Sequence, residues 1–286
     1  MTSASDPLYV AARQVLLDAL SVLQPHLDAI VVVGAQAVYL RTEELRLPVA
    51  PYTTDSDLVL DPSVLASEPD LFTALERGGF ELARDRDGNV QPGAWITTRT
   101  VDGKDTAIPV DLIVPTGVSG TRRRSARLPG HTTGAARTIP GLEAAVLDHS
   151  PWTVNALEPR DPRTFRVQVA GPVALLIAKA FKIQERLSRP SRPDRVHEKD
   201  AGDVYRLMQA SDVATCVEVA DGLRRHDALG EICTDGLRHL VQLFQGTRTP
   251  GTAMAVEHFR TGLPAERVTD VVTTFARALR RSLEES

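Results

Sequence analysis

The sequence predicts an α/β (α+β) chain, with a mixed-sheet domain over residues 1–170 and a helical domain over residues 171–286. Three observations carry that prediction. Short apolar runs, Ile30 to Val33, Leu58 to Leu60 and Ile108 to Val114, have the length of buried strands. The turn dipeptides Asp87-Gly88 and Asp102-Gly103 bracket a β-branched stretch, Trp95 to Val101, as hairpin turns do. From Gly171-Pro172 onward the apolar spacing becomes helical, and proline suits a first helical position.

In order along the chain, Asp6-Pro7 starts a helix in which Ala12, Leu16, Leu20, Leu23 and Leu27 recur every three or four residues. Pro25 ends or kinks it, and it is expected to pack on the sheet that begins at Ile30. Gly34-Ala35 makes a tight exit from that strand into a helix reaching about Leu47. Asp61-Pro62-Ser63 is a turn or cap. A short helix in LFTALERGGF stops at Gly78-Gly79, and Phe80 to Ala83 reads as a strand. Ile139 to Val169 reads as loops and short strands, the last of them, Phe165 to Val169, a candidate edge. Beyond the Pro172 helix and a proline- and arginine-rich loop, Ser188 to His197, Asp212 caps a helix running to about His226. Glu231 to Gln245 is another helix, and Pro264 begins a last one striped by Val268, Val271, Val272, Phe275, Leu279 and Leu283. This part reads as a small bundle without chemistry of its own.

Composition limits the function. With 286 residues, 42% of them hydrophobic and 24% charged, the chain can bury a core. A net charge of -4 argues against a general nucleic-acid footprint, so RNA binding would need a local patch. The two cysteines, Cys216 and Cys233, read as buried free thiols in a reducing cytoplasm. MTSASDPLYV lacks a basic start and an apolar core, and no run approaches a membrane span, so a soluble, cytoplasmic protein is expected. The histidines lack metal-ligand spacing, and no Walker lysine loop, dinucleotide glycine motif or Ser/Cys nucleophile motif occurs.

The candidate chemistry centres on Asp55-Ser56-Asp57, which leads into Leu58-Val59-Leu60. Side chains at i and i+2 of a strand share a side, so the two carboxylates face one spot. Mg²⁺ is usually held in this way, by one or two carboxylates plus the phosphates of a substrate. The same pair also reads as exposed strand-edge aspartates, or as turn and cap residues beside Thr54. Asp111 interrupts an apolar strand, where an acid must be paired or bound to metal unless it points outward. It is the candidate third carboxylate. Arg122, Arg123, Arg124, Arg127 and Arg137 fall in a glycine-containing stretch with no acid among them. Their planar forks suit phosphates, and the first four are candidate RNA contacts; the plain alternative is a solvated loop. On the helix after Pro172, Lys179, Lys182 and Arg186 form a basic face, a pattern that commonly is only solvated.

These residues resemble a known group. Gly34-x-x-Ala37 after an apolar strand, followed by Thr53-x-Asp55-x-Asp57 entering another, is similar to the core of the DNA polymerase β-type nucleotidyltransferase superfamily. The resemblance is closest to its AbiEii branch, which includes the MenT-type toxins. Leu176, Lys179 and Arg186, then Lys199-Asp200, Asp203 and Leu207, resemble that branch's second motif in order and spacing. The resemblance implies a Mg²⁺-dependent transfer of NMP from an NTP to an acceptor hydroxyl. It implies Asp55, Asp57 and Asp111 as metal ligands, and Gly34, Ala35, Lys179 and Lys182 as nucleotide-binding residues. Lys179 would meet the triphosphate, and Asp200 would act near the nucleophile or hold Lys179 in place. A salt-bridge lattice joining two helices is the competing account of this motif. The implied acceptor is the 3′ end of tRNA, the setting a toxin-antitoxin system, and the partner an antitoxin protein. The chain departs from the family in having Ala35 where glycine or serine is common. An antibiotic or small-molecule nucleotidyltransferase, a non-catalytic nucleotide-binding protein of the same fold, and a kinase-like or phosphate-binding toxin are the alternatives.

Overall fold

The computed structural model describes residues 6–120, 123–189 and 198–284. The chain divides into two compact units. The first comprises Met1–Ala37, Ala50–Pro140 and His149–Ala170; the second comprises Val38–Val49, Gly141–Asp148 and Gly171–Ser286. Two segments ahead of residue 170 therefore belong with the helical unit.

In the first unit α1 (Pro7–Val22) is capped by Asp6, whose carboxylate accepts from the Leu8 and Tyr9 amides. A 3-10 turn over Gln24–Ala29 follows, since Pro25 cannot continue the helix. The strands are β1 (Ile30–Val33), β2 (Ser56–Leu60), β3 (Glu81–Arg84), β4 (Val90–Val101), β5 (Lys104–Pro115), β6 (Arg137–Ile139), β7 (His149–Asn155) and β8 (Thr164–Ala170). Seven of them run in the order β3-β4-β5-β2-β1-β8-β7, with β6 beside β5. The sheet is mixed, as predicted: β1/β2, β3/β4, β4/β5 and β7/β8 are antiparallel, and β1/β8, β2/β5 and β5/β6 are parallel.

One expectation needs correcting. The strand at Phe165 to Val169 is not an edge, because β8 lies between β1 and β7. The edge falls to β7, which carries Pro151, a residue tolerated where one side of the ladder is open.

The α1 helix packs over β2, β4, β5 and β8, burying Ala12, Val15, Leu16, Ala19 and Leu20. The Ser56 hydroxyl donates to the Ala12 carbonyl, which fixes the Ser56, Leu58 and Leu60 side of β2 as the side facing α1. Asp57 and Val59 therefore point to the opposite side. The short helix α3 (Leu71–Arg77) is capped by Asp70, and its Phe72 ring lies edge-on to Trp95 at 5.0 Å between centroids.

The second unit is helical. The helix α2 (Gly34–Arg41), whose first residues are counted with the first unit and its last with the second, stops well short of Leu47. Thr42 turns its hydroxyl back onto the Val38 carbonyl at 2.8 Å, and Pro48 disfavours helical backbone at the residue before it. The other helices are α4 (Pro172–Leu187), α5 (Glu198–Ala210), α6 (Val213–Arg224), α7 (Gly230–Phe244), α8 (Pro250–His258) and α9 (Ala265–Glu284). α4 packs on α5 and α7, and α5 on α8. Sequence periodicity misses α8, a nine-residue helix that buries only Gly251, Thr252 and Ala255. Its one signal is Pro250 at the first helical position. Cys216 and Cys233 are buried free thiols, with burial pushing both up to about 11. Among the described residues, no helix is long and apolar enough to cross a membrane.

Candidate active site

The Asp-x-Asp pair lies on the side of the sheet away from α1. Asp57 pairs in register with Val33 on β1 and with Asp111 on β5. Directly opposed residues project to the same side, so Asp57 and Asp111 stand abreast on neighbouring strands. Asp55 immediately precedes β2, and the buried Thr53 hydroxyl donates to its Oδ1 at 2.5 Å, fixing the carboxylate's orientation.

Gly34 is required where it stands. Its φ is +67°, and a Cβ there would lie 2.0 Å from Asp57 Oδ2. Any side chain would be strained by the backbone and would also displace the Asp57 carboxylate. The turn thus brings bare backbone against Asp57 at the point where α2 begins. The first amides of a helix have no intrahelical acceptor and can meet an anion. Ala35, 6% exposed, adds only a methyl group.

Asp111 has a partner that the sequence does not reveal. The Arg137 guanidinium binds its Oδ2, with the side chains 25% and 15% exposed respectively. Arg137 is in register with Ile113, two residues on from Asp111, so it projects to the same side of the sheet. β6 takes over beside β5 where the pairing of β4 with β5 stops, at Ala94 and Asp111, and Gly93 makes room for the exchange. At φ +69°, a Cβ on Gly93 would lie 2.3 Å from the Arg137 amide nitrogen. The Gly93 amide donates to the Gly134 carbonyl at 2.8 Å, and Trp95 Nε1 donates to the Ala135 carbonyl at 2.8 Å. A Pro-Gly inside a strand is the signal that could have shown this close approach.

Among the described residues, no group of three or more His, Cys, Asp or Glu side chains is arranged to hold a metal ion. Asp55 and Asp57 still fit Mg²⁺, which commonly takes one or two carboxylates and completes its shell with water and phosphate oxygens.

Of the candidate RNA contacts, Arg122 lies outside the described residues. Arg123, Arg124 and Arg127 are exposed. Arg124 hydrogen-bonds the Gln91 side chain, and the segment is tied to β6 by the bridge between Ser125 and Arg137.

The second motif forms a buried charge cluster inside the helical unit. Lys179 Nζ lies 2.9 Å from Asp200 Oδ1 and 2.6 Å from Asp203 Oδ2. Asp200 also meets Lys182 at 3.2 Å and Arg186 at 2.5 Å. Burial works against the Lys179 ammonium, but the two aspartates outweigh it and hold its pKa above the ordinary lysine value. Burial likewise opposes the Asp200 carboxylate, and Lys179, Lys182 and Arg186 overcome it and hold its pKa below the usual range. An ammonium has three hydrogens to donate, so one remains for any further acceptor. The rest of the Ser188 to His197 loop, from residue 190, lies outside the described residues.

Sequence reasoning also misses two buried arginines. Arg13 Nε donates to Gln36 Oε1 at 2.9 Å, and its NH1 donates to the Asn155 carbonyl at 2.9 Å. Arg206 binds the Val49 carbonyl and lies over the Tyr39 ring at 5.5 Å. Helical periodicity does not say what either would bind, although both sit among mainly apolar neighbours in sequence.

No family profile matches the chain, and no curated protein matches it. Among solved structures it is similar to an antigenic nucleotidyltransferase-like protein from Paracoccidioides brasiliensis. The likeness covers 80% of this chain and 93% of that one, at 13% identity and a TM-score of 0.42.

Proposed function

We propose that the protein transfers a nucleoside monophosphate from an NTP to an acceptor hydroxyl, using the carboxylate side of the first unit's sheet. The observation that supports this reading most is the placement of Asp57 abreast of Asp111, with the bare Gly34 turn against the Asp57 carboxylate. Asp55 and Asp57 would hold Mg²⁺, which when bound offsets charge on the phosphate oxygens. The Gly34 turn and the first amides of α2 orient the triphosphate, so that the acceptor oxygen lies in line with the bond to be broken. The acceptor oxygen bonds to the α-phosphorus, its proton is lost, and pyrophosphate leaves with the electrons of the cleaved P–O bond. The chain's contribution is position and fixed charge.

The acceptor proposed is the 3′ end of tRNA. Support comes from exposed Arg123, Arg124 and Arg127 on a segment anchored to β6, in a chain that is acidic on balance. On this reading the protein acts as the toxin of a toxin-antitoxin pair, with an antitoxin protein as its partner.

The test is incubation of the purified protein with total tRNA, Mg²⁺ and each α-labelled NTP in turn, beside Asp57→Asn. The expected result is label on tRNA from one nucleotide, lost in the variant. No label on tRNA from any nucleotide would refute the tRNA acceptor, and transfer to added aminoglycoside hydroxyls would then favour the small-molecule reading. Asp57→Asn is a better control than Lys179→Ala, which would leave two buried carboxylates short of a counter-charge.

A further inference from the structure

Two buried histidines of the first unit, His26 and His131, take no part in the chemistry proposed above. Their rings meet edge-on at 5.5 Å between centroids. His26 is 1% exposed; its Nε2 donates to the Pro69 carbonyl at 2.8 Å, and its Nδ1 is buried with no hydrogen-bond partner. The Leu71 amide donates to His131 Nδ1 at 3.2 Å, so that nitrogen carries no proton and Nε2 donates to the Ala66 carbonyl at 2.9 Å. Both rings are therefore neutral in this arrangement. The turn over residues 127–133 rests on these bonds and on a few neighbours. Thr132 donates to Asp70 from its amide and its hydroxyl, at 2.6 and 3.2 Å. Gly130, at φ +81°, presses its backbone onto Ser67, where a Cβ would lie 2.9 Å from the Ser67 carbonyl oxygen. At either end of the turn, the Ser125 bridge to Arg137 and the Gly93 bond to Gly134 are backbone contacts, which do not titrate near neutrality.

We propose that His26 and His131 form an acid-opened latch: while both are neutral they hold residues 127–133, with exposed Arg127, against the segment 66–71, and a proton on either ring releases that turn. A second proton on His26 would go to Nδ1, where no acceptor meets it, and one on His131 would displace the Leu71 amide. Burial is the main influence holding the His26 pKa below the ordinary histidine value; the Pro69 carbonyl opposes it and His131 adds to it. Among the described residues, the charged group paired with His131 is Asp70, its Oδ2 4.0 Å from Nδ1. A proton at that nitrogen would draw Asp70 away from Thr132 and loosen the turn at a second point. For His26 the latched pKa lies below that of an opened, hydrated ring, so the latch is complete above about pH 6.5 and weakens as pH falls below it. The device does not depend on the transfer reaction, although it governs how Arg127 is presented.

The test is amide hydrogen exchange read by mass spectrometry on the full chain at about pH 7.5 and about pH 5.5, with rates corrected for the intrinsic effect of pH. Protection over residues 127–133 should fall about tenfold or more at the lower pH, while protection over β1 holds. The double variant His26→Gln with His131→Gln keeps amide donors and acceptors but takes up no proton, and should show no such fall. Protection over residues 127–133 that does not change with pH, a fall shared equally by β1, or a fall that persists in the folded double variant would each overturn the proposal. If the double variant does not fold, as judged by circular dichroism, the wild-type comparison of residues 127–133 with β1 decides.

Discussion

The molecule carries two charge clusters built on opposite plans. On the sheet, Asp57 stands abreast of Asp111, Arg137 binds Asp111, and the Asp111 and Arg137 side chains keep 15% and 25% of their surface exposed. In the helical unit, Lys179 and Asp203 are 5% and 2% exposed, and Asp200 collects Lys179, Lys182 and Arg186. The first cluster is partly open to solvent. The second is closed, with cations in excess at its rim. A buried cluster that satisfies its own charges holds helices in register, whereas one that solvent reaches is suited to a ligand.

The sharpest way to break this contrast is to remove one member of the closed cluster. Lys179→Met should cost about 3–5 kcal/mol, because it takes the buried counter-charge from Asp203 and one of three cations from Asp200. Urea unfolding measures the loss, and adding Asp200→Asn and Asp203→Leu should recover most of it. If Lys179→Met unfolds like the wild type while losing nucleotide binding, the cluster is a ligand site and the contrast fails. Next in size, Gly34→Ala should cost about 1–2 kcal/mol from its left-handed backbone, and more from the collision with Asp57. It should also abolish Mn²⁺ binding, read from the free-ion electron paramagnetic resonance signal during titration.

A smaller effect concerns Asp70, outside both clusters. Burial opposes its ionisation, yet hydrogen bonds from Thr132 and Thr73 prevail and hold its pKa at about 2. The folded value lies below the unfolded one, so the stabilisation is complete above about pH 4 and is lost as pH falls toward about 2. Asp70→Asn should therefore melt below the wild type at about pH 5, with the difference closing near about pH 2; a constant difference would show that the charge is irrelevant. The smallest expected effect is chemical. Burial raises both thiols to about 11, so native protein should react with a thiol reagent far more slowly than unfolded protein. Rapid native labelling would contradict it.

The sequence showed the strands and capped helices best, because their cause is local. Asp6 and Asp212 cap helices as expected, and the run Ile30 to Val33 is β1 residue for residue. What was hidden depends on contacts distant in sequence. The place of β8 inside the sheet, the Asp111 to Arg137 pair across 26 residues, and the burial of Arg13 and Arg206 have no local pattern to announce them. Asp111 illustrates the limit well. Its position in an apolar strand called for a partner, and only the register of β6 says which one.

Nucleotidyl transfer at this site requires that the carboxylate side of the sheet bind a metal nucleotide. Calorimetric titration of the wild type and Asp57→Asn with a non-hydrolysable NTP analogue, with and without Mg²⁺, tests this directly. The account predicts Mg²⁺-dependent binding to the wild type and none to a folded Asp57→Asn. Equal binding to both proteins, or binding indifferent to Mg²⁺, would contradict it.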